Sequence, residues 1–306
     1  MSDVPQFSAE LPTPDAAQRF SHHAMNCDWG IIIAGSDARA AQAAAQAAFD
    51  EVDRVEQELS RFRPRSDISR LNLMPPGEPV RVGPAAWECL ALARDVWEKT
   101  GGAFDVTIGA ALKRDTATND RPPPIGMQHL HLDRETRSAV RLLEGLVIDL
   151  GAIGKGFGVD QAVETLREWG IGNALVHSGQ STLFAFGTPP GQCGWSLAIR
   201  DPRDHAKALG HVTLRDQAFS GSGVLLHGPH IIDPRCGAAA MDKLAAWAIA
   251  PSAALSDAIS TAFMVMTPGE IEATWQSWPG VSALVAFAAE SGLALRCFGL
   301  GWPGFP

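Results

Sequence analysis

Hydrophobic positions along the chain fall into short apolar runs, which predict strands, and stretches repeating every three or four residues, which predict helices. The stretch 147–171 holds both. Val147, Ile148 and Leu150 predict a buried strand; Gly151, Gly154, Gly156 and Gly158 loosen the backbone; Val159, Ala162, Val163 and Leu166 resume at helical spacing. Such a junction offers backbone N–H groups and the positive end of a helix dipole to an anion, and Lys155 adds a point charge suited to phosphate. The glycine spacing matches neither the dinucleotide-binding turn nor the P-loop. A purely structural strand-to-helix turn accounts for the same glycines, so both readings stand.

The same patterns extend over the rest of the chain. A strand is expected over 28–34, then a long helix to Leu59 capped by Ser36, with Ala45, Phe49, Val52, Val55 and Leu59 on one face. A short helix opens at Ser66, and Pro84 opens another that Gly101 and Gly102 stop. Residues 104–112 read as an extended segment with Asp105 and Thr107 on one side, and 113–127 as an irregular loop. A hairpin is expected from His129, returning through Ala139 to Val147, and two strands over 173–186 flank the turn Ser178-Gly179-Gln180. Strands follow at 195–199 and 211–214 around a charged loop at 200–207. The apolar region 244–266 predicts a strand and then a helix capped by Ser252 or Ser256, and 281–298 predicts two final strands.

Composition narrows the class. The chain has 306 residues, 46% hydrophobic and 19% charged, which fits an ordinary globular protein with a sizeable core. A net charge of −9 with no Lys/Arg run argues against nucleic-acid partners, and Ser252, Ser256, Asp257 and Ser260 break up the longest apolar region, so no membrane span is expected. The five cysteines are scattered, without a Cys-x-x-Cys pair, as in a reduced compartment. Residues 1–24 lack a secretory signal and read as a flexible arm, and a cytoplasmic location is expected.

Four groups carry candidate chemistry. The segment 60–72 places four arginines around one proline, either as a solvated loop or as a loop facing phosphate or carboxylate. Asp105 and Thr107 either cap a turn or face a ligand. His227, His230 and Asp233 are spaced by three, but the intervening glycine and proline argue against a helix that would align them on a transition metal. Asp257 and Thr261, four apart, stack on one helix face. One reading has the helix dipole favouring Asp257 while Thr261 back-bonds to a carbonyl; the other has both converging on a hard cation such as Mg²⁺.

Taken together these segments resemble the ApbE family, the FAD:protein FMN transferases. Residues 60–72 are similar to its Ser-x-[Tyr/Phe]…Ser-x-[Ile/Leu]-Ser-x-Leu-Asn loop, and 104–109 to Phe-Asp-Val-Thr-x-Gly. Residues 149–160 resemble Asp-Leu-Gly-Gly-Ile-Ala-Lys-Gly-Tyr-Ala-Val-Asp, 230–237 His-Ile-x-Asp-Pro-x-Thr-Gly, and 256–261 an Ala-Asp-Ala-x-Ser-Thr helix. Five ordered pieces cover most of the chain.

The resemblance implies an α+β, T-fold-related architecture over 25–306, with mixed sheets and packed helices in two lobes around a central FAD cleft. It implies a Mg²⁺-dependent transferase, monomer or dimer, that passes FMN from FAD to a Ser or Thr hydroxyl of an acceptor flavoprotein and releases AMP. Asp257, Thr261 and the Ala152 carbonyl would hold Mg²⁺, and His230 would be the general base. Met25, Phe62, Asp105, Thr107, Gly151, Lys155, Gly179, Gln180 and Ile231 would line the FAD site. The departures are Met25-Asn26-Cys27 for Met-Gly-Thr, Ser178-Gly179-Gln180 for Gly-Gly-Asp, Phe157 for Tyr in a chain with no tyrosine, and Cys236 for Thr. The alternatives are an FAD pyrophosphatase giving FMN and AMP, and an FAD-binding protein without the chemistry.

Overall fold

The computed structural model describes residues 7–9, 17–113, 122–224, 231–240, 242–289 and 292–305. In chain order the elements are β1 (Phe7–Ala9), β2 (Ala17–Ala24), β3 (Cys27–Ala34), α1 (Ala38–Leu59), α2 (Asp67–Leu73), β4 (Val80–Arg81), α3 (Pro84–Lys99), β5 (Leu130–Asp133), β6 (Ser138–Arg141) and α4 (Gly154–Glu168). There follow β7 (Ala174–Ser178), β8 (Thr182–Phe186), β9 (Trp195–Asp201), β10 (Asp204–Leu214), β11 (Gln217–Gly223), β12 (Lys243–Ala250), α5 (Ala253–Val265), α6 (Pro268–Ser277), β13 (Ser282–Ala289) and β14 (Gly292–Phe298).

The main sheet has eight strands in the order β14-β13-β12-β11-β8-β7-β3-β2, each antiparallel to its neighbour. Side chains alternate across it, as the pleat requires. Ile31, Ile33, Val176 and Phe184 face α1 and α4, while Ala246 and Ala248 join the core under α5. Ile32, Leu175, Leu183, Trp247 and Leu284 face the other way, onto a small sheet of order β1-β9-β10. A third sheet, β4-β6-β5, packs with α2 and α3. Both faces of the main sheet are therefore covered, which accounts for strands such as β8 and β12 that read as continuous apolar runs. Among the described residues no helix is long and apolar enough to cross a membrane.

The structure corrects the sequence reading at several points. Asp37, not Ser36, caps α1, its carboxylate accepting from Arg39 and Ala40 N–H. Residues 17–24, read as part of an arm, form the edge strand β2. The charged loop at 200–207 is the corner of the β9–β10 hairpin, where the Asp201 carboxylate takes Arg203 N–H at 2.9 Å and pairs with its guanidinium. Residues 104–110 are turns rather than an extended run, and Val147 has a single parallel bridge to Ile108 rather than a ladder. The side-chain amide of Asn72 replaces the missing strand partner: it donates to the Ile148 carbonyl and accepts from the Ile148 N–H, both at 2.8 Å.

Candidate active site

The turn at 149–154 is held from both sides. The Asp149 carboxylate accepts from Gly151 N–H at 2.8 Å and is 3.1 Å from the Arg61 guanidinium. No side chain of its own caps α4. The carboxylate of Asp257, in α5, does so by accepting from Gly156 N–H at 3.1 Å. The anion at this helix N-terminus thus comes from the chain itself, and a distant residue meets the orphan donor that every helix start leaves. Asp160, in α4, returns the arrangement: its two oxygens accept from Ala253 and Ala254 N–H of α5 at 2.7 and 2.8 Å. Ser252 adds a second cap to α5, while Ser256 is turned inward to the Ala248 carbonyl. Gly156 lies where the two helices meet, and a Cβ there would run into the Ala253 carbonyl.

A cavity of about 290 Å³ opens beside this crossing, lined among others by Ala152, Lys155, Gln180, Ser222, Asp257 and Thr261. The second Asp257 oxygen accepts from the Thr182 hydroxyl at 3.0 Å, and Lys155 donates to the Ser181 hydroxyl at 3.2 Å. Burial raises the Asp257 pKa from its ordinary value, opposed first by the positive charge of Lys155 and then by its hydrogen bonds. Thr261 lies within 3.2 Å of the Ser222 hydroxyl and 3.4 Å of the Asp257 carbonyl. A second cavity, of about 590 Å³, shares Asp149, Gly151 and Lys155 with the first and is lined also by Met25, Arg61 and Phe62.

Most of the expected site residues converge here. Asp105, Gly151, Ala152, Lys155, Gln180, Ile231, Asp257 and Thr261 line the first cavity, and Met25 and Phe62 the second. Met25 and Asn26 form a two-residue hairpin turn between paired Ala24 and Cys27, with φ of 50° and 60°. That left-handed conformation is unusual for a methionine and aligns Met25 with the cavity wall. Phe62 is 76% exposed at the rim, with the Arg61 guanidinium 4.7 Å from its ring centre.

Two expected residues are absent from either wall. Thr107 is fully buried: its hydroxyl donates to Asp105 at 2.6 Å and accepts from Gly126 N–H at 2.7 Å. Asp105 also accepts from Thr107 and Met127 N–H, so the pair ties the 103–109 turns to the strand-entry segment at 126–127. Gly179, at φ 56°, has its N–H on the Asp28 carbonyl and its carbonyl on His177. Both groups are spent within the fold, and Gly179 serves to turn Gln180 into the cavity wall. His230 and His227 lie outside the described residues. The sequence reading passed over Asp149, Ser181 and Ser222, which line the first cavity, while Arg61, one of the four arginines singled out in 60–72, lines the second. Asp149 stood at the head of a matched segment and was legible there; Ser181 and Ser222 become visible only through contacts across the chain.

The residues present suit a divalent ion. Asp257, Thr261 and the Ala152 main chain are oxygen donors, the kind Mg²⁺ takes, and each carboxylate oxygen of Asp257 has accepting capacity left after its one hydrogen bond. The Gln180 side-chain oxygen in the same wall is buried without a donor. No cluster of three or more His, Cys, Asp or Glu residues placed to hold a metal ion occurs among the described residues.

The layered fold is that of solved flavin transferases. It resembles the flavin transferase ApbE from Vibrio cholerae with a TM-score of 0.78 and 22% identity, over 92% of this chain and 98% of that one. The apo flavinyl transferase ApbE of Pseudomonas stutzeri gives 0.79 and 22% identity, over 92% and 94%. In sequence, the chain is 30% identical over 282 residues to the FAD:protein FMN transferase of Treponema pallidum, spanning 80% of this chain and 77% of that protein. It is 28% identical over 273 residues to that of Klebsiella pneumoniae, with the same two shares. The ApbE family matches residues 25–285, and the chain belongs to that family.

Proposed function

We propose that this chain is a Mg²⁺-dependent FAD:protein FMN transferase, which moves FMN from FAD to a Ser or Thr hydroxyl of an acceptor flavoprotein and releases AMP. The observation that carries the reading is the meeting of Lys155, Asp257, Thr261 and Ala152 in one cavity, joined through Asp149 and Gly151 to a larger one walled by Met25 and Phe62. The relatives named as FAD:protein FMN transferases support the same activity.

The chemistry asks for little covalent participation and much charge neutralisation. Asp257, Thr261 and the Ala152 carbonyl would hold Mg²⁺, which supplies neutralisation of the phosphate oxygens when bound. Lys155, fixed by Ser181 and balanced by Asp257, places a second positive charge at the same wall. The larger cavity and the exposed Phe62 ring suit an aromatic system that stacks. In the reaction the acceptor oxygen attacks the FMN phosphorus, the bond to the bridging oxygen breaks, and AMP leaves with that electron pair. His230 takes the hydroxyl proton, a task for which histidine's ordinary pKa is suited.

The test is a reaction of the chain with FAD, Mg²⁺ and a protein bearing an acceptor threonine, read by AMP release and by flavin fluorescence on the denatured acceptor. Both signals together are expected. AMP with free FMN would assign a pyrophosphatase, and intact FAD with every acceptor would assign a binding protein.

A further inference from the structure

Around Thr261 the hydroxyl protons can be counted. Ser260 is fully buried and donates to the Asp257 carbonyl at 3.0 Å. The Ser222 hydroxyl is 2.9 Å from that of Ser260 and 3.2 Å from that of Thr261. A carbonyl only accepts, and each hydroxyl has one proton to give. Either hydroxyl of the Ser222–Ser260 pair can donate; with the Ser260 proton on the carbonyl, Ser222 donates to Ser260. In that arrangement Ser222, its proton spent, accepts from Thr261. The competing acceptor for Thr261 is the Asp257 carbonyl, but that contact is longer, at 3.4 Å, and the carbonyl already takes Ser260.

We propose that Ser222 is a positioning residue for the divalent cation, drawing the Thr261 proton into a one-way chain from Thr261 through Ser222 and Ser260 to the Asp257 carbonyl, and so leaving the Thr261 oxygen free to coordinate. The proposal rests on the reading that Asp257 and Thr261 hold that cation. A hydroxyl binds a cation through oxygen lone pairs and must send its proton elsewhere. Without Ser222 the Thr261 hydroxyl keeps only its long contact, and its proton is free to rotate toward the ion. Partners of metal ligands that fix ligand orientation in this way carry much of a site's affinity. Ser222 lies in the run 219–223, FSGSG, and β11 brings it against α5 at the cavity wall.

The experiment uses the full chain and Mn²⁺ as the probe, with free Mn²⁺ read by electron paramagnetic resonance. Wild type, Ser222→Ala, Ser222→Thr and Asp257→Ala are titrated, and each is melted without metal. Ser222→Ala is expected to weaken Mn²⁺ binding by about tenfold, with its metal-free melting temperature close to wild type. Ser222→Thr, which keeps the hydroxyl, is expected to restore the affinity. If Ser222→Ala binds like wild type while Asp257→Ala does not, the positioning role is overturned and the cation site stands. Equal weakening in the Ala and Thr variants would reduce Ser222 to packing and also overturn it. If Asp257→Ala binds Mn²⁺ like wild type, the cation site itself is wrong, and the proposal falls with it.

Discussion

Asp257 meets three demands at once: its carboxylate caps Gly156, accepts from Thr182 and faces the charge of Lys155. An asparagine there keeps the shape and one acceptor but loses the charge that a cation requires. Asp257→Asn is therefore expected to lower Mg²⁺-dependent turnover on the order of 100-fold or more, since a bound metal contributes several kcal/mol to phosphoryl transfer, while FAD binding persists. Turnover and equilibrium FAD titration on the same preparation check this, and unchanged turnover would sink the metal assignment. Lys155, Asp257 and Thr261 were legible in the sequence because each falls inside an ordered motif. Thr107 lies behind the cavity walls for a physical reason: a buried hydroxyl next to a carboxylate satisfies its neighbour as readily as a ligand, and spacing cannot tell the two apart.

At the level of elements, the site depends on how α4 and α5 cross. Each helix lends a carboxylate to the other's N-terminus, Asp257 to Gly156 and Asp160 to Ala253 and Ala254. The absence of a side chain at Gly156 permits that approach. Gly156→Ala is expected to push the helices apart, costing about 1–3 kcal/mol of stability as overpacking does and weakening metal binding with it. Denaturant unfolding would show it, and a variant as stable as wild type would mean that the crossing is soft. Asp160 adds a pH dependence. Burial raises its pKa to about 7, against the two backbone N–H groups that favour the charged form. An acid whose folded pKa lies above its unfolded value of about 4 stabilises the fold when protonated. Its contribution is full below the unfolded pKa and is lost as pH rises toward 7. Melting temperatures of wild type, measured relative to Asp160→Asn, should fall between pH 4 and 7 and level off above; a difference that stays flat would refute the assignment. The existence of α1, α3, α4 and α5 was plain from periodicity. Their mutual capping was not, because a cap supplied by another helix leaves no local signal.

For the whole molecule, alternation revealed which residues turn inward but not which strands adjoin. Nothing in the apolar runs orders β11 between β8 and β12, or lays β9 and β10 over the outer face of Trp247 and Leu284. That order places Met25, Phe62, Asp105, Lys155, Ile231 and Asp257, spread along the chain, around two adjoining cavities. A ligand filling them would contact several elements at once, and one that binds the folded chain but not the unfolded chain stabilises the fold by mass action. FAD at a hundredfold excess over its dissociation constant should thus add about 2.7 kcal/mol of stability, a rise of several degrees in melting temperature for a chain of this size. On the proposed reading the pyrophosphate and the ion would share the wall formed by Lys155, Asp257 and Thr261, and coupling between two ligands is reciprocal, so Mg²⁺ should raise the FAD shift further in wild type. In Asp257→Asn the FAD shift should remain while the Mg²⁺ increment disappears. Thermal melts with FAD, Mg²⁺, both and neither resolve the four states. An equal Mg²⁺ increment in the variant would place the ion elsewhere than between α4 and α5.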